Sequence, residues 1–193
     1  MKSIIKKRIM ESIAVKQELL ENVDVMNNLE ALATRMVECL KHGGKLILCG
    51  NGGSASDALH FAGEMVGRFQ KERCPWPAVV LHADVASLTA ISNDYSYEDC
   101  FAREAKAFTR PEDLLIGIST SGNSENVYRA IMVAREIGAA TAAFLGKDGG
   151  RIKSCVDYPL VVPCNVTARV QESHITLIHI LCELVENEMT RNE

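Results

Sequence analysis

The chain has 193 residues, 47% of them apolar and 24% charged, with a formal charge of −4. This length fills one well-buried domain and is short for two, and the composition is that of an ordinary globular protein. The acidic balance argues against a nucleic-acid partner, which would favour a basic face, and no apolar run is long enough to span a bilayer.

In chain order, residues 3–21 carry Ile4, Ile5, Ile9, Ile13, Leu19 and Leu20 among charges, which predicts an amphipathic helix. A second helix is predicted from Val25 to His42, with Leu29, Leu32, Ala33, Met36, Val37 and Leu40 on one stripe and Gly43-Gly44 as its stop. These two helices precede the first strand, so they form an added layer and a candidate dimerisation surface. From Lys45 the pattern becomes short apolar strands alternating with helices. Strands are predicted at 45–49, 78–81, 114–119, 140–145 and 158–162. Helices are predicted at 54–69, 87–92, 98–108, 124–137 and 167–188. Such alternation reads as an α/β three-layer sandwich with a mainly parallel five-stranded sheet. The expected organisation is a single domain over 1–193, with N-terminal helices in 1–42 and an α/β core in 43–193. The basic N-terminus lacks a signal-like apolar block, so a cytoplasmic location is expected. Seven cysteines, odd in number and without a C-x-x-C pair, indicate neither a disulfide framework nor a thiolate zinc site.

In folds of this class ligands sit beyond the carboxyl ends of strands. The first strand ends in Gly50-Asn51-Gly52-Gly53-Ser54, where glycines permit positive φ and the next helix offers free N–H groups. Gly50 to Ala55 also fits G-x-G-x-x-A. A dinucleotide site would need an acidic residue about twenty positions on, and Asp84 comes too late. A second loop, Ser119-Thr120-Ser121-Gly122-Asn123-Ser124, packs four hydroxyls and a glycine before a helix start. Hydroxyls and helix N-terminal amides make a neutral phosphate cradle. The competing reading is a plain capping turn. The absence of a lysine after the glycine separates the loop from a nucleotide P-loop.

His60 and Glu64 stand four apart on the helix after the first glycine loop, so both face one way. Imidazole and carboxylate suit a zinc ion, and a carboxylate suits a carbon acid as base. The last helix carries Gln171, Glu172, His174 and His179. His174 reads as a satisfied core histidine.

Taken together, Cys49 to Ser54 and Asp57 to Glu64 resemble the phosphoheptose isomerases, single-domain members of the sugar isomerase (SIS) superfamily. Asn93-Asp94, the Ser119–Ser124 loop, Gly146 to Gly150, Arg169 to Glu172 with His174, and His179 continue the match in order. The resemblance covers essentially residues 1–193. It implies an aldose–ketose isomerisation, sedoheptulose 7-phosphate to D-glycero-D-manno-heptose 7-phosphate, for bacterial lipopolysaccharide or capsule heptose. It further implies a cytoplasmic homotetramer that binds one Zn2+ per subunit. Metal ligands carry over onto His60, Glu64, Gln171 and His179. Substrate contacts carry over onto Asn51, Gly52, Gly53, Glu64, Asn93, Asp94, Ser119, Thr120, Ser121, Ser124 and Gln171. Two departures stand out: Ala168, where some members have Asp, and Ala55-Ser56.

The implied chemistry moves a proton between C1 and C2 through an enediol. Glu64 is assigned as the carbon base and His179 as the acid/base at the oxygens. Gln171 and His179 are eight residues apart, a rise of about 12 Å, against zinc bonds of about 2 Å. One of them is therefore expected from a neighbouring subunit, which makes the site interfacial. The main alternative is a non-catalytic SIS domain that binds a sugar phosphate or a replication initiator. Base, acid and metal ligands on separate elements favour the enzyme.

Overall fold

The computed structural model describes residues 1–191. Two long helices open the chain, α1 (Lys2–Leu20) and α2 (Val23–Lys41). Then follow β1 (Leu46–Gly50), α3 (Gly53–Val66), β2 (Ala78–Val80), α4 (Val85–Asp94), α5 (Cys100–Phe108) and β3 (Leu114–Ser119). The chain continues with α6 (Glu125–Ile137), β4 (Ala140–Gly146), a 3-10 turn at Arg151–Cys155, β5 (Tyr158–Val162) and α7 (Thr167–Met189). All five strands are parallel, in the order β2-β1-β3-β4-β5.

The sheet is covered on both faces, which is why its strands read as continuous apolar runs. Period-2 alternation sorts their side chains. Leu46, Leu48, Leu114, Ile116, Ile118, Ala142 and Phe144 join the core shared with α2, α3 and α7. Ile47, Cys49, Leu115, Ala143 and Leu145 join the core under α5 and α6. The α/β sandwich is therefore as expected.

The helix ends show local causes. Asn22 caps α2 by accepting the Val25 N–H at 3.1 Å, with Asp24 in the first turn to complement the helix dipole. α6 stops at Gly138, whose φ of 91° closes a left-handed cap. α2 buries Val25, Leu29, Leu32, Ala33, Met36 and Val37, nearly the whole predicted stripe. α1 behaves differently: it buries only Val15 and Leu19, while Ile4, Ile5, Ile9, Met10, Ile13 and Leu20 stay exposed. Among the described residues no helix is long and apolar enough to cross a membrane.

Three local expectations need correction. α3 ends at Val66, not Phe69, because Gly67 leaves helical geometry and the N–H groups of residues 69–71 turn to a distant carboxylate. α4 spans Val85–Asp94, longer than 87–92, because Asp84 caps it through the Ala86 N–H. The 3-10 turn was not anticipated. It follows Gly149 and Gly150, both at positive φ.

Candidate active site

The strand order changes direction between β1 and β3, since the chain leaves β1 toward β2 on one side and later returns to β3 on the other. A doubly wound sheet opens a crevice at such a switch point, outside the carboxyl ends of the two strands. The two loops singled out in the sequence stand there. Gly50 pairs with Ile118 in the ladder, so Asn51–Gly53 and Ser119–Ser124 leave adjacent strands side by side.

The first loop is built tightly. A Cβ at Gly50 would lie 2.6 Å from the Ser54 carbonyl oxygen, and Gly52 takes φ 57°. No side chain caps α3 at its N-cap, Gly52. Gln171, projecting from α7, sits against Gly53, where a Cβ would lie 2.5 Å from its Nε2. Asn51 is gripped from two directions. Its amide and that of Asn126 exchange hydrogen bonds at 2.8 and 2.9 Å, and Tyr97 donates its hydroxyl to Asn51 Oδ1 at 2.7 Å. Asn126, buried near the start of α6, thereby ties the first loop to the second.

In the second loop the hydroxyls gather. Ser119 Oγ lies 2.8 Å from Ser124 Oγ and 3.5 Å from Ser121 Oγ. Ser124 is the N-cap of α6, yet its side chain makes no cap bond. The Ser124 hydroxyl faces its serine neighbour instead of the helix N–H groups, while Ser121 Oγ accepts the Asn123 N–H at 3.2 Å in a local turn. Gly122, at φ 66°, lies against Gly149 and Gly150, and its carbonyl accepts the Ile152 N–H at 3.0 Å. The loop after β4 thus backs the serine loop.

The titratable constellation lies further along α3. His60 Nε2 is 3.0 Å from Glu64 Oε1, and His179 Nε2 on α7 is 3.4 Å from His60 Nε2. These are the three ligand atoms that could hold one ion, all within 4.8 Å of one another. The His60 and His179 rings meet edge to face with centroids 5.0 Å apart. Bonds of about 2 Å to a tetrahedral ion set ligand atoms about 3.3 Å apart, so the spacing and the donor set fit a zinc-type cation. Glu64 Oε1 faces His60, and Oε2 has no hydrogen-bond partner among the described residues.

Gln171, the fourth ligand that the resemblance implies, also projects from α7. It stands at Gly53, about two turns of α7 before His179. Asn93 and Asp94 are exposed at the end of α4, where the Asn93 amide donates to the Asp94 carboxylate at 2.9 Å. Ala168 is exposed in the first turn of α7. His174 is fully buried, with Nε2 2.9 Å from the Leu145 carbonyl oxygen and its ring against Phe144. Burial pushes it down to about 4, so it stays neutral at physiological pH; it is the core histidine expected but only half satisfied, since Nδ1 is buried without a hydrogen-bond partner among the described residues.

Several residues were not found from the sequence. Asn126 and Tyr97 carry no spacing signal toward Asn51. Asp57 is one turn before His60 on α3, with Oδ2 buried and without a hydrogen-bond partner among the described residues, and burial raises its carboxyl above the usual range. Its place in an i, i+3 series with His60 was the available signal.

The SIS domain family matches residues 12–146. The chain is 50% identical over 186 residues to a phosphoheptose isomerase of Trichlorobacter lovleyi, covering 96% of this chain and 94% of that one. Among solved structures it resembles phosphoheptose isomerase GmhA from Neisseria gonorrhoeae, at TM-score 0.91 and 41% identity over 96% of this chain and 98% of the other. A phosphoheptose isomerase from Francisella tularensis superposes with TM-score 0.91 at 34% identity, covering 96% of this chain and 97% of that one. With a serine-lined crevice at the switch point and a His–Glu–His cluster joining α3 to α7, the chain belongs to the SIS domain family and, within it, to the phosphoheptose isomerases.

Proposed function

We propose that the protein interconverts sedoheptulose 7-phosphate and D-glycero-D-manno-heptose 7-phosphate, with Glu64 and His179 moving the protons and the Ser119–Ser124 loop holding the phosphate. The observation that carries this reading is the convergence of His60, Glu64 and His179, from two separate helices, within 4.8 Å. A pure sugar-phosphate binder has no need of that set.

The ketose has its carbonyl at C2 and the aldose at C1. Glu64 takes a proton from C1, leaving an enediol as O2 gains a proton. Glu64 then returns a proton to C2 as O1 loses one. Oε1 of Glu64 faces His60 and the ion site, and the free Oε2 suits the carbon. His179, with Nε2 turned to the ion site, would give the proton to O2 and accept the one from O1 through its other ring nitrogen, Nδ1. Ser119, Thr120, Ser121 and Ser124, with the uncapped start of α6, bind the distal phosphate, so that remote binding energy positions the reacting end. Asn51, Gly52 and Gly53, with Asn93 and Asp94, would contact the substrate as the family resemblance implies, and Gln171 presents its amide at Gly53.

His60, Glu64 and His179 would hold a divalent ion, Zn2+ by donor type. The chemistry it would supply there is Lewis-acid polarisation of the substrate's carbonyl. Gln171 of the same chain is about two turns away along α7. If it ligates, it does so from a neighbouring copy. The exposed isoleucines of α1 support an assembly, a tetramer with interfacial sites, in which another copy covers them. Of the N-terminal helices, α1 with its exposed isoleucines then serves oligomerisation, while α2 packs into the same core as α3 and α7 and belongs with the catalytic domain. The working place is the cytoplasm, in heptose supply for lipopolysaccharide or capsule.

The test is incubation with sedoheptulose 7-phosphate before and after chelator treatment, with aldose formation as the readout. Aldose should appear, disappear after chelation and return with Zn2+. No aldose from the metal-loaded protein would end the proposal.

A further inference from the structure

The three-residue site bridges α3 and α7, and one buried ion pair ties the segment after α3 to α7. This inference rests on the metal-site reading above. α3 ends two residues after Glu64, and the chain then crosses residues 67–77 to β2 without a helix or strand. In that crossing lies Arg73, whose side chain is 2% exposed and paired with the equally buried Glu186 of α7. The Glu186 carboxylate accepts the backbone N–H groups of Phe69, Gln70 and Lys71 at 3.2, 2.8 and 2.9 Å, and Arg73 Nε at 3.1 Å. Arg73 donates its other N–H groups to the carbonyls of Glu64 (2.7 Å), Met65 (3.0 Å) and Cys74 (3.0 Å). Its guanidinium lies 3.6 Å from the Trp76 ring centroid.

Glu186 is seven residues after His179, two turns along the same face of α7. One carboxylate on the helix of His179 therefore grips the segment leaving α3, and the guanidinium it holds grips the carbonyl of Glu64 itself. The same grip brings the Phe69 ring to 5.8 Å from the His179 ring. A buried ion pair is no better for stability than a well-packed apolar pair, so stability alone does not account for this one. Partners behind metal ligands, by contrast, set ligand orientation and affinity.

We propose that Arg73 and Glu186 are positioning residues: they hold Glu64 at bonding distance from the two histidines, and through Phe69 they fix the His179 ring. The probe is Co2+, titrated into metal-free protein and read by its visible ligand-field absorbance. Wild type must first bind Co2+ with a band that His60→Ala abolishes; failure there refutes the metal site itself. Given that band, Glu186→Gln and Arg73→Lys are expected to weaken Co2+ about 10-fold or more, with far-UV circular dichroism unchanged. Phe69→Ala leaves the ion pair in place and remains informative if the pair's variants do not fold. It is expected to weaken Co2+ at least about 3-fold and to alter the band. A lowered thermal midpoint with Co2+ affinity within twofold of wild type, in any folded variant of the three, overturns the proposal.

Discussion

Glu104 offers a quantitative test of the fold around the crevice. It lies on α5, 5% exposed, and its Oε1 has no hydrogen-bond partner among the described residues. Burial, helped by the charge of Asp84, pushes its carboxyl up from 4.5 to about 7. A raised carboxyl costs the folded state nothing while both states are protonated. The penalty appears as pH rises through 4.5, where the unfolded chain ionises, and saturates above 7. The ceiling is about 3 kcal/mol at pH 8 and about 0.8 kcal/mol at pH 5. Partial solvent screening reduces the pH-dependent difference to about 1–2 kcal/mol. Wild type alone will not show it cleanly, because His174 works in the opposite sense. Its folded value of about 4 against 6.5 removes stability as pH falls through the same window. Glu104→Gln cancels only the first effect, and any offset from the new amide is the same at every pH. Thermal unfolding of both proteins at pH 5 and pH 8, at one protein concentration, isolates the difference. The advantage of Glu104→Gln should grow by about 1–2 kcal/mol from pH 5 to pH 8, some 2–8 °C for a domain of this size. A pH-independent difference would refute the reasoning.

Ser119→Ala with Ser124→Ala should lower kcat/KM for the sugar phosphate about 10-fold to 100-fold, through a higher KM and, because the phosphate's binding energy positions the reacting end, a lower kcat as well. Steady-state kinetics separate the two constants, and an unchanged kcat/KM would remove the serine loop from phosphate binding. Asn126→Ala leaves the Asn51 amide without its reciprocal partner. It should cost about 1–3 kcal/mol in urea unfolding and raise KM; a variant of wild-type stability and KM would show that the amide pair does neither job.

Much of the architecture was legible because the sheet is buried on both faces. β3 and β5 occupy the predicted residues, since continuous apolar runs bounded by polar turns leave little choice. The end of α3 was not legible, because a carboxylate more than a hundred residues away takes the N–H groups that would have continued the helix. Within the site, His60 and Glu64 declare themselves by i, i+4 spacing on one helix. His179 joins them from residues far downstream, and only the family resemblance pointed to it. Asn126, Tyr97, Arg73 and Glu186 act through long-range hydrogen bonds that no local spacing encodes. Helical rise sets Gln171 and His179 about 12 Å apart along α7. His179 is the one beside His60, and Gln171 is the one beside Gly53.

The proton transfer assigned to Glu64 is tested most directly by nuclear magnetic resonance of sedoheptulose 7-phosphate in D2O, comparing metal-loaded wild type with Glu64→Gln. Wild type should form the aldose and exchange a C1 hydrogen for deuterium, and the variant should do both at least about 100-fold more slowly. Isomerisation and exchange at near wild-type rates in a folded Glu64→Gln protein would contradict the account.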